Sequence, residues 1–148
     1  MAQSKIMPAS FLDTNVFLYA AMHELPLDDV HKRPIADRLV YEEDYCLSTQ
    51  VLAEFYYNAL KKGTKKLSHL EASGWMEQMA LQPCVAVDIN LVRTGAAFAH
   101  RYRISYWDGA ILAAAHDLGA GTLYTEDLNH GQKYGDVTVV NPFLPISH

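Results

Sequence analysis

The chain has 148 residues, half of them hydrophobic and a fifth charged, which suits one globular domain over residues 1–148 with a sizeable core. Its net charge of -5 argues against nucleic-acid binding as a default. No apolar run reaches the roughly 18 residues of a membrane span. The N-terminal stretch MAQSKIMPASFLD lacks the apolar segment of a secretion signal, so a cytoplasmic protein with no membrane partner is expected.

Short apolar runs alternate with longer helical stretches, which predicts an α/β fold with a parallel sheet. A first strand is expected over about residues 10–12, ending at Asp13, and a helix over about 15–22. Residues 23–29, with Pro26 and several acids, read as a turn. A second helix should run from 29 or 30 to 43, with Pro34 in its early turns, where proline costs least. The second strand, 45–47, leads into a helix over about 50–62 that Ser48 or Thr49 can cap and Gly63 can stop. Ser68 and Glu71 have the spacing of a capping box, and their helix should end near Leu81 and Pro83. A third strand over 85–87 follows. Asp88 then caps a helix over about 89–102, and Ser105 caps another over about 106–118, ended by Gly119 and Gly121. Residues 122–125 read as the fourth strand and 137–140 as a short fifth. Cys46 and Cys84 begin strand-like runs and read as buried free thiols, and no Cys/His spacing suggests zinc.

Four acids stand out against this frame: Asp13, Glu54, Asp108 and Asp127. In an open parallel sheet, ligands bind at the carboxyl edge of the strands. Asp13 ends the first strand there, and Asp127 lies just beyond the fourth. Glu54 is in the second turn of a helix that starts at that edge. Asp108 is in the first turn of a helix leading back into the fourth strand, so it starts at the same edge. Ala110, Ile111, Ala114 and Leu118 give that helix an apolar stripe, with Asp108 beside its open end. Clustered carboxylates repel one another and make sense when a hard divalent cation neutralises them. That points to metal-assisted chemistry on a phosphate ester.

The basic groups HKR at 31–33, KKGTKK at 61–66 and HRYR at 100–103 read as solvated faces or as phosphate contacts on the rim of such a site. A histidine-driven cleavage would need two imidazoles at the phosphate. Only His130 lies near the predicted edge, while His100 and His116 fall on helix faces. A phosphate-accepting signalling module would need paired acids after the first strand and a lysine after the last, and neither is present.

The acids and their surroundings resemble the PIN-domain nucleases, most closely toxin ribonucleases of the VapC type. The likeness runs from Leu-Asp-Thr-Asn-Val at 12–16 through Ser48, Thr49 and Glu54 to Trp107-Asp108, then Thr125-Glu126-Asp127, and closes on Val-Val-Asn-Pro-Phe at 139–143. It implies a three-layer α/β/α sandwich with a central, mostly parallel sheet. It also implies Mg2+- or Mn2+-dependent RNA cleavage leaving 5′-phosphate and 3′-hydroxyl ends. On this likeness Asp13, Glu54, Asp108 and Asp127 are the catalytic, metal-holding acids, with Asp13 and Asp108 binding the better-held ion. Thr14, Asn15, Thr125, Glu126, Asn129 and His130 are the supporting polar residues, with Glu126 as the alternative ligand to Asp127. The likeness further implies a homodimer and a small antitoxin partner. The antitoxin's arm would cover the acids and dock on apolar residues around Val16, Phe17, Tyr19 and Ala20 and around Phe55, Tyr56 and Tyr57. A housekeeping RNA-processing nuclease or a non-catalytic RNA-binding member of the same fold are the alternatives.

Overall fold

The computed structural model describes residues 9–63 and 65–145, and among these six short strands form one sheet in the order β3-β2-β1-β4-β6-β5. The strands are β1 (Ser10–Leu12), β2 (Tyr45–Ser48), β3 (Cys84–Val85), β4 (Thr122–Tyr124), β5 (Lys133–Tyr134) and β6 (Val137–Val140). The helices are α1 (Thr14–Ala21), α2 (Lys32–Tyr41), α3 (Thr49–Ala59), α4 (His69–Met79), α5 (Ile89–Tyr102) and α6 (Tyr106–Asp117). The stretch before Ala9, which bears on the secretion signal, and Thr64 of the KKGTKK group lie outside the described residues.

All neighbouring strands pair in parallel except β5 and β6. Phe11, Leu12, Leu47 and Leu123 are buried, as continuous apolar runs in a sheet covered on both faces must be. From β1 the chain moves outward through β2 to β3, then returns to the other side of β1 for β4 and β6. Right-handed crossovers therefore place α1–α4 on one face and α5 and α6 on the other. The reversal of direction falls between β1 and β4, the switch point where such sheets bind ligands.

Local chemistry sets the helix starts. Ser48, Ser68, Asp88 and Ser105 each accept a hydrogen bond from a backbone amide three residues on, and Ser68 and Glu71 complete the capping box. Helices α5 and α6 approach so closely that side chains are excluded at the contact. A Cβ on Gly109 would lie 2.4 Å from the Gly95 carbonyl oxygen, and one on Gly95 would lie 2.9 Å from the Ala110 Cα. This contact fixes α6 one residue after Asp108.

Several elements differ from expectation. The third strand is Cys84–Val85, not 85–87, because the Val87 amide donates to Thr49 Oγ1 at 3.1 Å and draws the chain off the sheet. Helix α3 ends at Ala59; residues 60–62 form a turn before Gly63, which has a φ of +85°. The expected turn at 23–29 includes a short 3-10 helix, Leu27–Asp29, and α2 is shorter than expected at both ends. Strand β5 was not expected. It joins β6 through Gly135-Asp136, with Gly135 at φ +60°. Cys46 is buried, but Cys84 is only half-buried at the sheet edge. Burial pushes the Cys46 thiol up to about 11, so it packs as an apolar side chain.

Candidate active site

The register brings Asp13 beside Thr125. Phe11 and Leu12 pair with Leu123 and Tyr124, and the Asp13 amide continues the ladder to the Tyr124 carbonyl at 3.1 Å. The Asp13 carboxylate, only 5% exposed, caps α1 by accepting from the Thr14 amide at 2.7 Å. Its other oxygen accepts from the Thr125 hydroxyl at 2.8 Å. The Thr125 hydroxyl in turn accepts from the Asp127 amide at 3.1 Å and from Asn15 Nδ2 at 3.3 Å. Asn15 Nδ2 also donates to the Asp127 carboxylate at 3.2 Å. Thr125 thus donates only to Asp13, and the network is written for an ionised Asp13.

Glu54 reaches the same place from α3. It accepts from the Thr14 hydroxyl at 3.2 Å and from Gln50 Nε2 at 3.4 Å. Gln50 also donates to the Trp107 carbonyl at 3.2 Å, linking α3 to the start of α6. Asp108 sits in the first turn of α6, its amide held by Ser105 Oγ at 3.0 Å. Asp13, Glu54, Asp108 and Asp127 all line one cleft of about 460 Å3, with Thr14, Asn15, Gln50, Asn58, Lys62, Trp107 and Glu126 among the other walls.

The cleft is electrostatically unbalanced. Burial, chiefly, pushes Asp13 up to about 7; hydrogen bonds from Thr14 and Thr125 oppose this, and the charges of Asp127 and Glu54 add to it. Glu54 is raised by burial, then by Asp127 and Asp108, against the hydrogen bonds of Thr14 and Gln50. Asp127 is raised by desolvation and by Asp108 and Glu126, against Asn15 and Lys62. Among the described residues no basic side chain pairs with Asp13. Asn15 Oδ1 is buried and accepts no hydrogen bond among the described residues.

Glu126 behaves differently. Its carboxylate accepts from the Tyr19 hydroxyl and from Lys32 Nζ, the latter at 2.9 Å. Lys32 also pairs with Asp29 at 3.0 Å. Burial alone would lower the Lys32 pKa, but its bonds with Tyr19, Glu126 and Asp29 hold it above the ordinary value. Glu126 is therefore neutralised within the protein, and Asp127 is the acid left facing the other three.

Asn129 and His130 are not brought into the cleft. Asn129 donates to Gln132 at 2.9 Å, and His130 Nδ1 accepts from the Asn141 amide at 3.0 Å, so both brace the loop that runs beside β6. Gln50 and Asn58 were not expected as site residues, Tyr19 was expected only as docking surface, and Lys32 and Lys62 only as members of basic runs that could meet phosphate on the rim. Gln50 carried only helical spacing as a signal, one turn before Glu54.

Of the expected arm-docking residues, Val16, Phe17, Ala20 and Phe55 are core side chains, and Tyr19 is taken by Glu126, Lys32 and the Phe143 ring, while Tyr57 is exposed and Tyr56 half-buried. Apolar surface is also open along a groove between α2 and α4. There Tyr41, Leu70 and Leu81 are exposed, and Glu42, Glu43, Asp44 and Glu71 form an acidic rim.

Among the described residues, no three Asp, Glu, His or Cys side chains stand close enough to cage an ion as they are. The donor chemistry still fits a hard cation. The groups are oxygens, Asp13 lacks an internal counter-charge, and Asn15 holds a spare acceptor.

Fold and cleft together define an α/β domain with an acidic centre at its switch point. The PIN domain family model matches residues 10–135, and the chain belongs to that family, whose nucleases generally use divalent metal ions. No curated protein matches the sequence. Solved structures share the fold. One is VapC20 of Mycobacterium tuberculosis, a toxin that cleaves the sarcin–ricin loop, with a TM-score of 0.65 and 17% identity over 80% of this chain and 90% of that one. Another is a toxin–antitoxin complex from Klebsiella pneumoniae, with a TM-score of 0.63 and 16% identity over 90% of this chain and 98% of that one. FitAB, solved bound to an IR36 DNA fragment, has a TM-score of 0.65 and 24% identity over 93% of this chain and 98% of that one. Among the described residues no helix is long and apolar enough to cross a membrane.

Proposed function

We propose that the chain is a Mg2+- or Mn2+-dependent endoribonuclease and the toxin of a toxin–antitoxin pair. The observation that carries this reading is the convergence of Asp13, Glu54, Asp108 and Asp127 on one cleft while Glu126, their neighbour, is neutralised elsewhere. Asp13 and Asp108 would hold the ion, with Glu54 and Asp127 acting directly or through water. When bound, the ion supplies a water of lowered pKa and offsets charge on the scissile phosphate. The chain's own residues orient the acids. Thr125 and the Thr14 amide favour the ionised form of Asp13, Thr14 and Gln50 aim Glu54, and Asn15 ties Asp127 to the same frame. Lys62, on the cleft wall, is placed to meet a phosphate of the strand.

Purified protein should cut RNA in Mg2+ or Mn2+ and stop in EDTA. Asp13→Asn and Asp108→Asn should abolish cleavage while remaining folded by circular dichroism. Wild-type rates in EDTA, or in either variant, sink the metal mechanism.

The toxin part rests on what the structural relatives are described as, toxins and toxin–antitoxin complexes. The partner would be a small antitoxin. Its apolar, basic segment suits the acid-rimmed groove between α2 and α4, and an Arg or Lys of its arm suits the acidic cleft. Growth arrest that depends on Asp13 and is relieved by the product of a neighbouring gene is the expected result. Harmless expression of an active nuclease would point to RNA processing instead. Sedimentation of the chain alone tests the homodimer.

A further inference from the structure

The Trp107 indole is 63% exposed although it stands on the wall of the acidic cleft, one residue before Asp108. Trp is a costly side chain to leave in water, and it is not idle packing material here. Among the described residues Tyr106 is its one aromatic neighbour, edge to face, with centroids 5.1 Å apart. Its backbone is held firmly. Gln50 Nε2 donates to the Trp107 carbonyl at 3.2 Å and also binds Glu54 at 3.4 Å, and Ser105 caps the same turn. An exposed π-face is therefore presented from a rigid helix start, at a set position relative to two of the four acids.

We infer that Trp107 is a stacking platform for an unpaired nucleobase next to the phosphate held at the acids. This deepens the nuclease reading and rests on it. It names the substrate class as a strand whose base at the cleft is free of pairing. Stacking needs no particular hydrogen-bond pattern, because every base has a π-face. A base inside a duplex has its faces covered by its neighbours and cannot lie on the indole while its phosphate enters the cleft. Lys62, which also lines the cleft, supplies positive charge for the strand's backbone.

The test has two arms. In the first, adenosine 5′-monophosphate, which has no internucleotide bond to cut, is titrated in Mg2+ while tryptophan fluorescence is followed. The wild type should be quenched and Trp107→Ala should not be, with Trp75 as the remaining internal emitter. Ribose 5-phosphate, which lacks a base, should quench neither. In the second, cleavage of a single-stranded RNA is compared for the wild type, Trp107→Ala and Trp107→Phe. Trp107→Ala should raise KM roughly ten-fold with kcat little changed, Trp107→Phe should recover most of the loss, and thermal melting should be the same for all three. Equal KM values, or quenching by ribose 5-phosphate as strong as by the nucleotide, overturn the platform while leaving the nuclease intact. Quenching of Trp107 by the nucleotide in a protein that cuts no RNA leaves the platform standing and removes the nuclease reading. A blue shift of Trp107 emission that grows with protein concentration alone overturns the platform in favour of contact between two copies.

Discussion

Asp13 carries an internal conflict. Thr125 and the Thr14 amide favour its charged form, whereas burial and two neighbouring carboxylates oppose it, and the sum is a value near 7 against an ordinary 3.8. Because the folded value lies above the unfolded one, Asp13's contribution to stability is fully present below 3.8 and is lost as pH rises through about 7. In EDTA, urea melts of the wild type should therefore weaken relative to Asp13→Asn between about pH 4 and about pH 7 and level off above that, with a ceiling of roughly 4 kcal/mol. A constant difference between the two proteins across that range would contradict the assignment. Thr125 gives a second prediction. Thr125→Val keeps the shape but removes the donor to Asp13 and the acceptor for Asn15 and the Asp127 amide. Cleavage and Mg2+ affinity should each fall roughly 10- to 100-fold, the usual cost of losing a group that orients a metal ligand, and Thr125→Ser should restore both. The acids were legible because each lies within a turn or so of the edge-facing end of an element whose direction follows from the chain's alternation. Their polar frame was legible only in part. Thr14, Asn15 and Thr125 flank acids in sequence and meet in space. Asn129 and His130 also follow one, but they do not line the cleft; Gln132 and the Asn141 amide hold them beside the last strand.

Helix placement is set by the α5–α6 contact more than by hydrophobic area. At Gly109 an added methyl would meet backbone on the neighbouring helix, the Gly95 oxygen and the Ala99 nitrogen at 2.4 and 2.9 Å, and backbone cannot step aside as a side-chain tip can. Gly109→Ala should destabilise the protein by about 1–3 kcal/mol, the range for overpacking, and should reduce cleavage because Asp108 is carried on the displaced turn. A melt unchanged by this substitution would show that the helices are not locked at this point. The other end of α5 offers the opposite change. Arg103 closes the helix at φ 55° and ψ 48°, the left-handed cap that glycine adopts without strain. Arg103→Gly should raise stability by about 1 kcal/mol, read as a higher melting temperature with unaltered cleavage. The helices were readable from the sequence because serine, aspartate and glycine mark their ends. The small strands were not. A two-residue strand has too little alternation to show a period, and β5 announces itself only through Gly135-Asp136, the turn that pairs Tyr134 with Val137. The third strand was misplaced because the bond from the Val87 amide to Thr49, which ends its pairing early, joins residues far apart in the chain.

On the scale of the whole molecule, charge and topology pull in different directions. The switch point between β1 and β4 gathers acids from four segments; of the seven carboxylates on the described walls of the cleft, Asp29 and Glu126 are paired with Lys32 and Glu24 with Lys65, which leaves Asp13, Glu54, Asp108 and Asp127 with Lys62 as the one lysine on the walls. The net charge of -5 adds no general attraction for a polyanion. This separates the protein from nucleic-acid binders that rely on a basic face, whose affinity falls steeply with salt. If the strand is held by the metal centre, by stacking and by Lys62, affinity for a single-stranded RNA should fall only gently with monovalent salt at constant Mg2+. The expected slope of log K against log salt is about -0.7 for each lysine–phosphate contact on a single strand, so one to two contacts give roughly -1. Lys62→Ala should bring the slope close to zero and weaken binding at low salt more than at high salt. The substitution also removes the one lysine that pulls the Asp127 carboxyl down, so Mg2+ binding by this variant must be measured separately to keep the two effects apart. A wild-type slope several times steeper would place the RNA on another surface, with the basic run at 100–103 as the first region to neutralise.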